Sequence, residues 1–383
     1  MKTSVSLLAQ KLSVSRLANV TGLDRVGYPV VAAIRPLSRN LSVSFGKGPT
    51  LELARLSAIM EAAELSYSER PSGQTVLAKF TEFPAGSALN PALLALRVDD
   101  ANPEKLEEIN FEWVQGHDLK SGRSILVPWQ AISMDFAVEA RAAPRVLRFG
   151  GTGLAASFDE KSAILHGLYE VIERDCHNRW NDLDDEIRIE TLIDLSSFKS
   201  PSILKLIAAI DRAELKVFLW DMTTDVAIPC YLAEVVDFSP GADTAFAQGS
   251  AAHLDAVTAI EKALAEALQV RLTYISGGRD DLEWSDYGDR YAETVESRRW
   301  LLSYQPVQQI AEVSDPSFDV ISEAISEIYK RLQIATPHEI TIVSLTDAQQ
   351  PVSVVKVIST LLKDTPDANH YAKNRLPAGL QAL

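Results

Sequence analysis

The sequence predicts an α+β fold of mixed sheets and three long helices in a single domain. Long helical stretches lie near residues 49–70, 158–180 and 255–276, whereas short strands separated by turn residues fill 74–148. The chain has no Pro/Ser/Gly linker long enough to divide it and no repeat of 20–50 residues. We therefore expect one domain over 1–383, with its core between about 20 and 360.

The first half is expected to begin with a helix in the N-terminal 22 residues. The β-branched segment 28–36 predicts a buried strand, and Pro49 is expected in the first turn of the first long helix, which ends before Pro71 and Gly73. Four segments then predict an antiparallel sheet: TVLAKF, FEWVQGHDL, RSILVPW and ISMDFAV.

The second half opens with a glycine-rich turn, FGGTGLAAS, that leads into the second long helix. Further helices are predicted in SILKLIAAIDRA, in DAVTAIEKALAEALQVRLTYIS (the third long helix) and in FDVISEAISEIYKRLQIA. Strands are predicted in KVFLWDM, CYLAEVVDF, EITIVSL and VSVVKVIS, and GGRDDLEWSDYGDRY is expected to be a loop.

Composition limits the classes of function. Of the 383 residues, 46% are hydrophobic, and 37 basic against 52 acidic side chains give a net charge of −15. Such a chain repels phosphate backbones and anionic lipid, so we expect no nucleic-acid or membrane partner. Two cysteines make no disulfide framework, and no run of 18 apolar residues could span a membrane. We expect a cytoplasmic protein.

Polar stripes occur on all three long helices. Ser57, Glu61 and Glu64 are spaced i, i+4, i+7 and so share one face of the first helix, among alanine and aliphatic residues. Glu170 and Glu173 lie on one face of the second. On the third, Lys262, Glu266 and Gln269 repeat the i, i+4, i+7 spacing.

Two interpretations of these stripes stay open at this point. Acidic residues on amphipathic helices usually face solvent. Here, however, few of the i+4 lysines that line an exposed acidic face are present, and glutamates three apart repel one another. Converging carboxylates would suit Mg²⁺, which prefers oxygen ligands and is commonly shared with substrate phosphates.

Two glycine-containing turns are weaker candidates for anion binding. Lys47 lies between glycines ahead of the first long helix, where backbone amides favour phosphate, but a surface lysine in a turn is the simpler interpretation. The segment GGTGLAA could cradle an anion or simply turn the chain. The six histidines are scattered, and none is assigned as a ligand.

Taken together, three blocks strongly resemble the YcaO family of ATP-dependent enzymes that modify peptide backbones. The first contains Ser-x-x-x-Glu-x-x-Glu as Ser57, Glu61 and Glu64. The second, GGTGLAASFDEKSAILHGLYEVIERD, contains Glu-x-x-Glu-Arg. The third, AIEKALAEALQVRLTYISGGRDD, contains Glu-x-x-Gln-x-Arg. One such motif is weak, whereas three in order at suitable separations are highly specific.

The resemblance implies a homodimeric α+β enzyme that binds ATP and Mg²⁺. It implies that Glu61, Glu64, Glu170 and Glu173 bind the metal. The remaining nucleotide-site residues would be Lys47, Ser57, Arg174, Glu266, Gln269 and Arg271, with Lys47 and Arg271 neutralising phosphate charge. The resemblance identifies no general base or other catalytic residue.

The resemblance also implies a reaction at a backbone amide of a ribosomally made peptide or protein. A nucleophile adds to the carbonyl, ATP phosphorylates the resulting oxyanion, and phosphate departs. The C-terminal sequence NRLPAGLQAL lacks the Pro-x-Pro-x-Pro tail common in azoline-forming members, so we expect a thioamide, made with a separate TfuA protein because the chain has no fused partner domain. The alternatives are an azoline-forming cyclodehydratase with a ThiF-like partner and a non-catalytic scaffold.

Overall fold

The architecture is given by a computed structural model that describes residues 2–71, 73–94, 106–137, 145–148, 150–239, 246–281, 295–306, 308–309, 318, 320–335 and 339–362. The helices that build the fold are α1 (Lys2–Lys11), α2 (Leu51–Ser68), α3 (Glu160–Asn181), α4 (Asp185–Glu190), α5 (Pro201–Arg212), α6 (Ala256–Ser276) and α7 (Ile321–Ala335). The strands are β1 (Arg16–Asn19), β2 (Val30–Ile34), β3 (Val43–Lys47), β4 (Val76–Lys79), β5 (Asn110–Asp118), β6 (Ser124–Pro128), β7 (Leu154–Ser157), β8 (Lys216–Asp221), β9 (Cys230–Val236), β10 (Phe246–Ala252), β11 (Ile340–Ser344) and β12 (Ser353–Ser359).

These strands form three sheets. One has the order β1-β2-β3 and another the order β10-β9-β8, while the largest has the order β4-β5-β11-β12-β7 with β6 paired to β5. The ladders between these strands are antiparallel, and parallel pairing occurs in the isolated bridges Ala88 to Leu126 and Ile193 to Gln308. The predicted α+β class is confirmed.

Each long helix packs on one sheet and also contacts a strand of the next sheet. Helix α2 covers β2 and β3 and contacts β7; α3 covers β12 and β7 and contacts β10; α6 covers β10 and β9 and contacts β3. The contacts therefore close a ring of three helix-and-sheet units. This ring brings one face of each long helix toward a common centre.

A glycine allows the close packing of α2 on its sheet. Gly46 lies in β3, and a Cβ added to it would stand 1.9 Å from the backbone nitrogen of Ala58 and 2.5 Å from the carbonyl oxygen of Ala54. Both alanines are fully buried. The strand and helix backbones thus touch where any larger side chain would separate them, and this contact sets the position of the acidic face of α2.

Most predicted elements are confirmed, with two corrections in the first half. Helix α2 begins at Leu51 with Thr50 as its N-cap, so Pro49 precedes the first turn that it was expected to occupy. The segment ISMDFAV is not a strand: it follows a short 3₁₀ helix at Trp129–Ala131 and runs without regular structure to residue 137. A proline is a weak predictor of the exact residue at which a helix begins. A short apolar run is a weak predictor of a strand when it has no pairing partner.

Four strands were missed. Strand β1 lies in the N-terminal segment of 22 residues that was predicted as helix, whereas the helix ends at Lys11. The other three have sequences that resemble turns. Strand β3 includes the segment Phe-Gly-Lys that was predicted as a turn, and β7 follows directly from the glycine-rich segment 150–153. Strand β10, FAQGSAA, consists largely of small residues with little strand propensity. Pairing with another strand decides the conformation of these three: β3 pairs with the preceding β2, β10 with the preceding β9, and β7 with the distant β12.

Several predictions fall outside the described residues. The C-terminal sequence that lacks the proline motif belongs to 363–383, and most of the predicted loop after α6 belongs to 282–294. Among the helices that the structure describes, none has the length and apolar character needed to cross a membrane.

Replacing Gly46 with alanine should destabilise the protein by at least ~1–3 kcal/mol, because backbone atoms of α2 must move to admit the new methyl group. Urea denaturation followed by circular dichroism measures the change. Gly22→Ala is the matched control, since a Cβ at Gly22 meets no atom within 4 Å. Equal stability of the two variants would contradict the close contact.

Candidate active site

The site is built by the facing sides of α2, α3 and α6, and each helix starts at a capping side chain. Thr50 accepts a hydrogen bond from the backbone N–H of Leu53, Asp159 from that of Ser162, and Asp255 from that of Thr258. Such caps fix where each helix begins. They therefore fix how many residues lie between the start of each helix and its polar stripe.

The structure brings the five predicted glutamates together. They are half-buried and lie on the facing sides of the three helices, in what we call the cleft. Burial, followed by the negative charges of Glu170 and Glu61, raises the pKa of Glu64 well above its usual value. Burial and then Glu266 raise the pKa of Glu173 to about 8. Carboxylates from all three helices therefore repel one another in one place.

Glu61 shows the same conflict between burial and nearby charge. Burial raises its pKa to about 7, although the cations Lys47 and Arg279 act in the opposite direction. Burial also raises the pKa of Glu170, opposed by Arg174 and by a hydrogen bond from the backbone of Gly153. Gly153 has a φ of +79°, a conformation that glycine adopts without strain.

Lys47 and Arg174 supply positive charge to the cluster. The ammonium nitrogen of Lys47 lies 3.0 Å from Oε2 of Glu266. Burial disfavours the charge on Lys47, but Glu266, Glu61 and Glu173 outweigh burial and raise its pKa. Arg174 follows the same pattern, because Glu173 and other carboxylates raise its pKa against the effect of burial.

Neutral groups hold the polar side chains in position. The backbone N–H of Ala156 donates to Oε1 of Glu64 at 2.9 Å. Ser57 Oγ accepts from the backbone N–H of Lys47 at 3.3 Å, and Gln269 Nε2 donates to the carbonyl oxygen of Phe45 at 3.2 Å. Ser57 and Gln269 thus join α2 and α6 to strand β3.

Sequence reasoning missed two contributors. Ser250, on β10, donates from its hydroxyl to Oε1 of Glu173 at 2.6 Å. Lys356, on β12, is only 4% exposed, and its ammonium group donates a hydrogen bond to the carbonyl oxygen of Gly150 at 2.6 Å. Its positive charge lowers the pKa of Glu170. A lysine inside the apolar strand VSVVKVIS was the available signal for Lys356; a serine in a missed strand gave none.

Arg271 lies in a different environment from the one predicted. Its Nε is 3.2 Å from Oδ1 of Asp24 and its Nη2 is 3.6 Å from Oδ2 of Asp237, and all three side chains are buried. Arg25 also pairs with Asp237, at 2.8 Å. This arrangement favours a structural ion pair that fastens α6 to the N-terminal segment, instead of the predicted contact with phosphate.

The donor set fits Mg²⁺ bound together with phosphate. Within the described residues, no three histidine, cysteine or acidic side chains form a ready-made metal cage. Mg²⁺ does not require one, since it is usually held by one or two carboxylates, water and substrate phosphates. The repelling carboxylates need a cation, and Glu61 and Glu64 on α2 face Glu170 and Glu173 on α3 across the cleft.

Comparison with known proteins identifies the family. A family model described as "YcaO cyclodehydratase, ATP-ad Mg2+-binding" matches residues 45–362. The chain belongs to the YcaO family. A Rhizobium leguminosarum bv. trifolii relative, named "Uncharacterized protein in tfuA 3'region", is 33% identical over 359 residues, covering 90% of this chain and 82% of the relative. A Methanothermobacter thermautotrophicus relative is 30% identical over 355 residues, covering 91% and 89%.

Solved YcaO structures share the fold. The structure of YcaO from Methanopyrus kandleri bound with AMPPCP and Mg2+ superposes with a TM-score of 0.70 at 21% identity, covering 95% of this chain and 91% of that one. A chain of the E. coli microcin synthetase McbBCD complex gives 0.61 at 16% identity, covering 90% and 87%. The predicted family and fold are confirmed, and so is membership of an ATP- and Mg²⁺-binding family.

Glu61→Gln should stabilise the metal-free protein at pH 8 by about 1–2 kcal/mol, because it removes a half-buried charge whose repulsion solvent screens only in part. The pKa of Glu61 rises from 4.5 in the unfolded chain to about 7 in the folded protein. Protonated Glu61 therefore contributes its full stability below pH 4.5, and this contribution is lost as the pH rises through about 7. The gain over wild type should therefore grow from pH 6 to pH 8 in thermal or urea unfolding.

The control for this prediction is Glu186→Gln, at an exposed carboxylate on α4. Adding Mg²⁺ with a non-hydrolysable ATP analogue should reverse the order of stability, because wild type gains a ligand that Glu61→Gln binds poorly. A gain that does not depend on pH would contradict the electrostatic account.

Arg271→Met should mainly lower the unfolding free energy, whereas Lys47→Met should mainly weaken ATP binding. Removing Arg271 leaves Asp24 without its buried partner and should cost ~3–5 kcal/mol of unfolding free energy. Lys47→Met removes a cation from a partly exposed pair with Glu266, so it should cost less unfolding free energy than Arg271→Met, and it should weaken ATP binding at least tenfold. Urea unfolding and calorimetric ATP titration measure the two effects. An Arg271→Met protein of normal stability that binds ATP poorly would restore the predicted phosphate contact.

Proposed function

We propose that this protein uses Mg²⁺ and ATP to activate a backbone amide of a ribosomally made peptide or protein by phosphorylating the amide oxygen. The observation that carries the proposal is the cluster of half-buried glutamates from three helices, with Lys47 and Arg174 beside it. A scaffold protein would have no need to hold like charges together at this energetic cost.

The residues divide the work by their chemistry. Glu61, Glu64, Glu170 and Glu173 would hold Mg²⁺, which would neutralise negative charge on the phosphates of ATP. Lys47 and Arg174 would stabilise charge on the transferred phosphoryl group. Ser57, Glu266 and Gln269 would keep these groups in position.

The chemistry that this arrangement supports is the replacement of a poor leaving group. Sulfide adds to the amide carbon, and the carbonyl electron pair moves to oxygen. That oxygen attacks the γ-phosphorus and ADP leaves. The C–O bond then breaks, phosphate departs, and a C=S bond forms after loss of the proton from sulfur. Positioning and charge stabilisation account for the role of the protein.

A thioamide product made with a TfuA partner is the favoured version of this function. The relative whose name places it in the tfuA 3′ region supports it. The proposal includes a homodimer acting in the cytoplasm on a precursor peptide or protein.

An azoline-forming cyclodehydratase with a separate ThiF-like recognition protein is the second candidate. The description of the matching family as a cyclodehydratase supports it. In that reaction a Cys, Ser or Thr side chain of the peptide replaces sulfide as the nucleophile, and the product loses one water.

Mass spectrometry of the precursor after incubation with ATP, partner and sulfide separates these chemistries. We expect one oxygen to be exchanged for one sulfur, with no reaction when sulfide is left out. Loss of one water without sulfide, located at a Cys, Ser or Thr, would replace the thioamide with the azoline product.

Glu61→Ala and Glu170→Ala should each abolish product formation while the far-ultraviolet circular dichroism stays that of the wild type. Each removes a carboxylate that the cleft directs toward the metal. Glu186→Ala, on the exposed surface of α4, is the control and should retain full activity. Full activity in either cleft variant would overturn the site assignment.

A further inference from the structure

A cavity of about 270 Å³ lies beside the glutamate cluster, between α3, α6 and strand β10. Arg174 and His177 of α3 line one wall. Glu266, Val270 and Tyr274 line the opposite wall, and their i, i+4, i+8 spacing places them along one side of α6. Arg174 and Glu266 belong to the charged cluster described above, whereas His177, Val270 and Tyr274 have been given no role.

The floor of the cavity is the edge of a strand. Five consecutive residues of β10, 246–250, line it, whereas β9 contributes only Leu232. Side chains alternate between the two faces of a strand, so a cavity over one face would contact every second residue. Contact with five in a row places the cavity along the backbone of β10.

This edge is available for further pairing. Among the described strands, β10 is the terminal strand of its sheet and pairs with β9 alone. In an antiparallel strand every second residue directs its N–H and C=O away from the existing partner. The cavity therefore runs beside backbone groups that an extended chain could bond.

The cavity adjoins the glutamate cluster. Ser250, at one end of the lining segment of β10, donates to Glu173, and Glu266 in the opposite wall pairs with Lys47. A ligand lying along β10 would thus reach the glutamates and Lys47. The volume of the cavity is below the ~300–1,000 Å³ typical of small-molecule sites. A cavity of this size suits a short stretch of peptide chain better than a whole nucleotide.

We propose that the free edge of β10 binds the peptide substrate as an added β-strand and so presents the target amide to the glutamate cluster. The inference rests on the proposed function and names how its substrate is held. An enzyme that modifies backbone amides must hold a backbone, and strand addition does so whatever side chains the peptide carries. Leu232, Phe246 and Val270 then offer an apolar surface to one side chain.

The test begins with nine-residue peptides selected from a random displayed library by the protein loaded with Mg²⁺ and AMPPCP. Each N–H of a selected peptide is then methylated in turn. Only alternate residues of an added strand direct their N–H toward β10, so methylation should weaken binding at least tenfold at every second position and little between them. Loss without this alternation would overturn the inference.

A variant locates the binding. Val270→Trp fills the cavity from α6 and should weaken binding of the same peptides at least tenfold, whereas Leu204→Trp, at an exposed position on α5, should not. Equal binding by both variants, or a selection that yields no peptide, also overturns the inference.

Binding of Mg²⁺ and AMPPCP is titrated separately in the unmodified protein. Failure of this titration refutes the proposed function and the inference with it. Normal nucleotide binding together with peptides that respond neither to methylation nor to Val270→Trp refutes the strand addition alone.

Discussion

Repulsion among half-buried carboxylates is the constraint on which the rest of this structure depends. Glu61 and Glu64 from α2, Glu170 and Glu173 from α3, and Glu266 from α6 meet in one cleft, and burial with mutual charge raises the pKa of the first four. Folding would be easier with neutral residues there. We interpret the cluster as a binding site: protons neutralise the carboxylates in the ligand-free protein, and a divalent cation with phosphate neutralises them when ligand binds.

The fold supplies the energy that holds this cluster together. Each of the three long helices packs on one sheet and contacts the next, so no helix can withdraw without disturbing two sheets. Close backbone contact at Gly46 and the buried ion pair of Arg271 with Asp24 resist such movement. Among the described strands, β10 ends its sheet, and its edge borders the cavity that we assign to the peptide.

The sequence predicted the glutamates well because helical periodicity is local: spacings of three, four and seven residues place side chains on one face whatever the rest of the chain does. It could not predict contributions that arrive through strand pairing. Ser250 reaches Glu173 only because β10 pairs with β9 next to α3, and β10 itself was missed. Residue type and motif also could not predict the ion pairs of Arg271, because tertiary packing brings it to two aspartates.

Binding of the cation and nucleotide should displace protons from the glutamates. Calorimetric titration of Mg²⁺-loaded ATP at pH 7, in buffers of different ionisation enthalpy, counts the protons released on binding. With the pKa of Glu61 near 7 and that of Glu173 near 8, a substantial fraction of both carboxyls is protonated in the free protein. We predict a net release of about one proton at pH 7, falling toward zero by pH 9. Binding with no proton release at pH 7 would contradict the account.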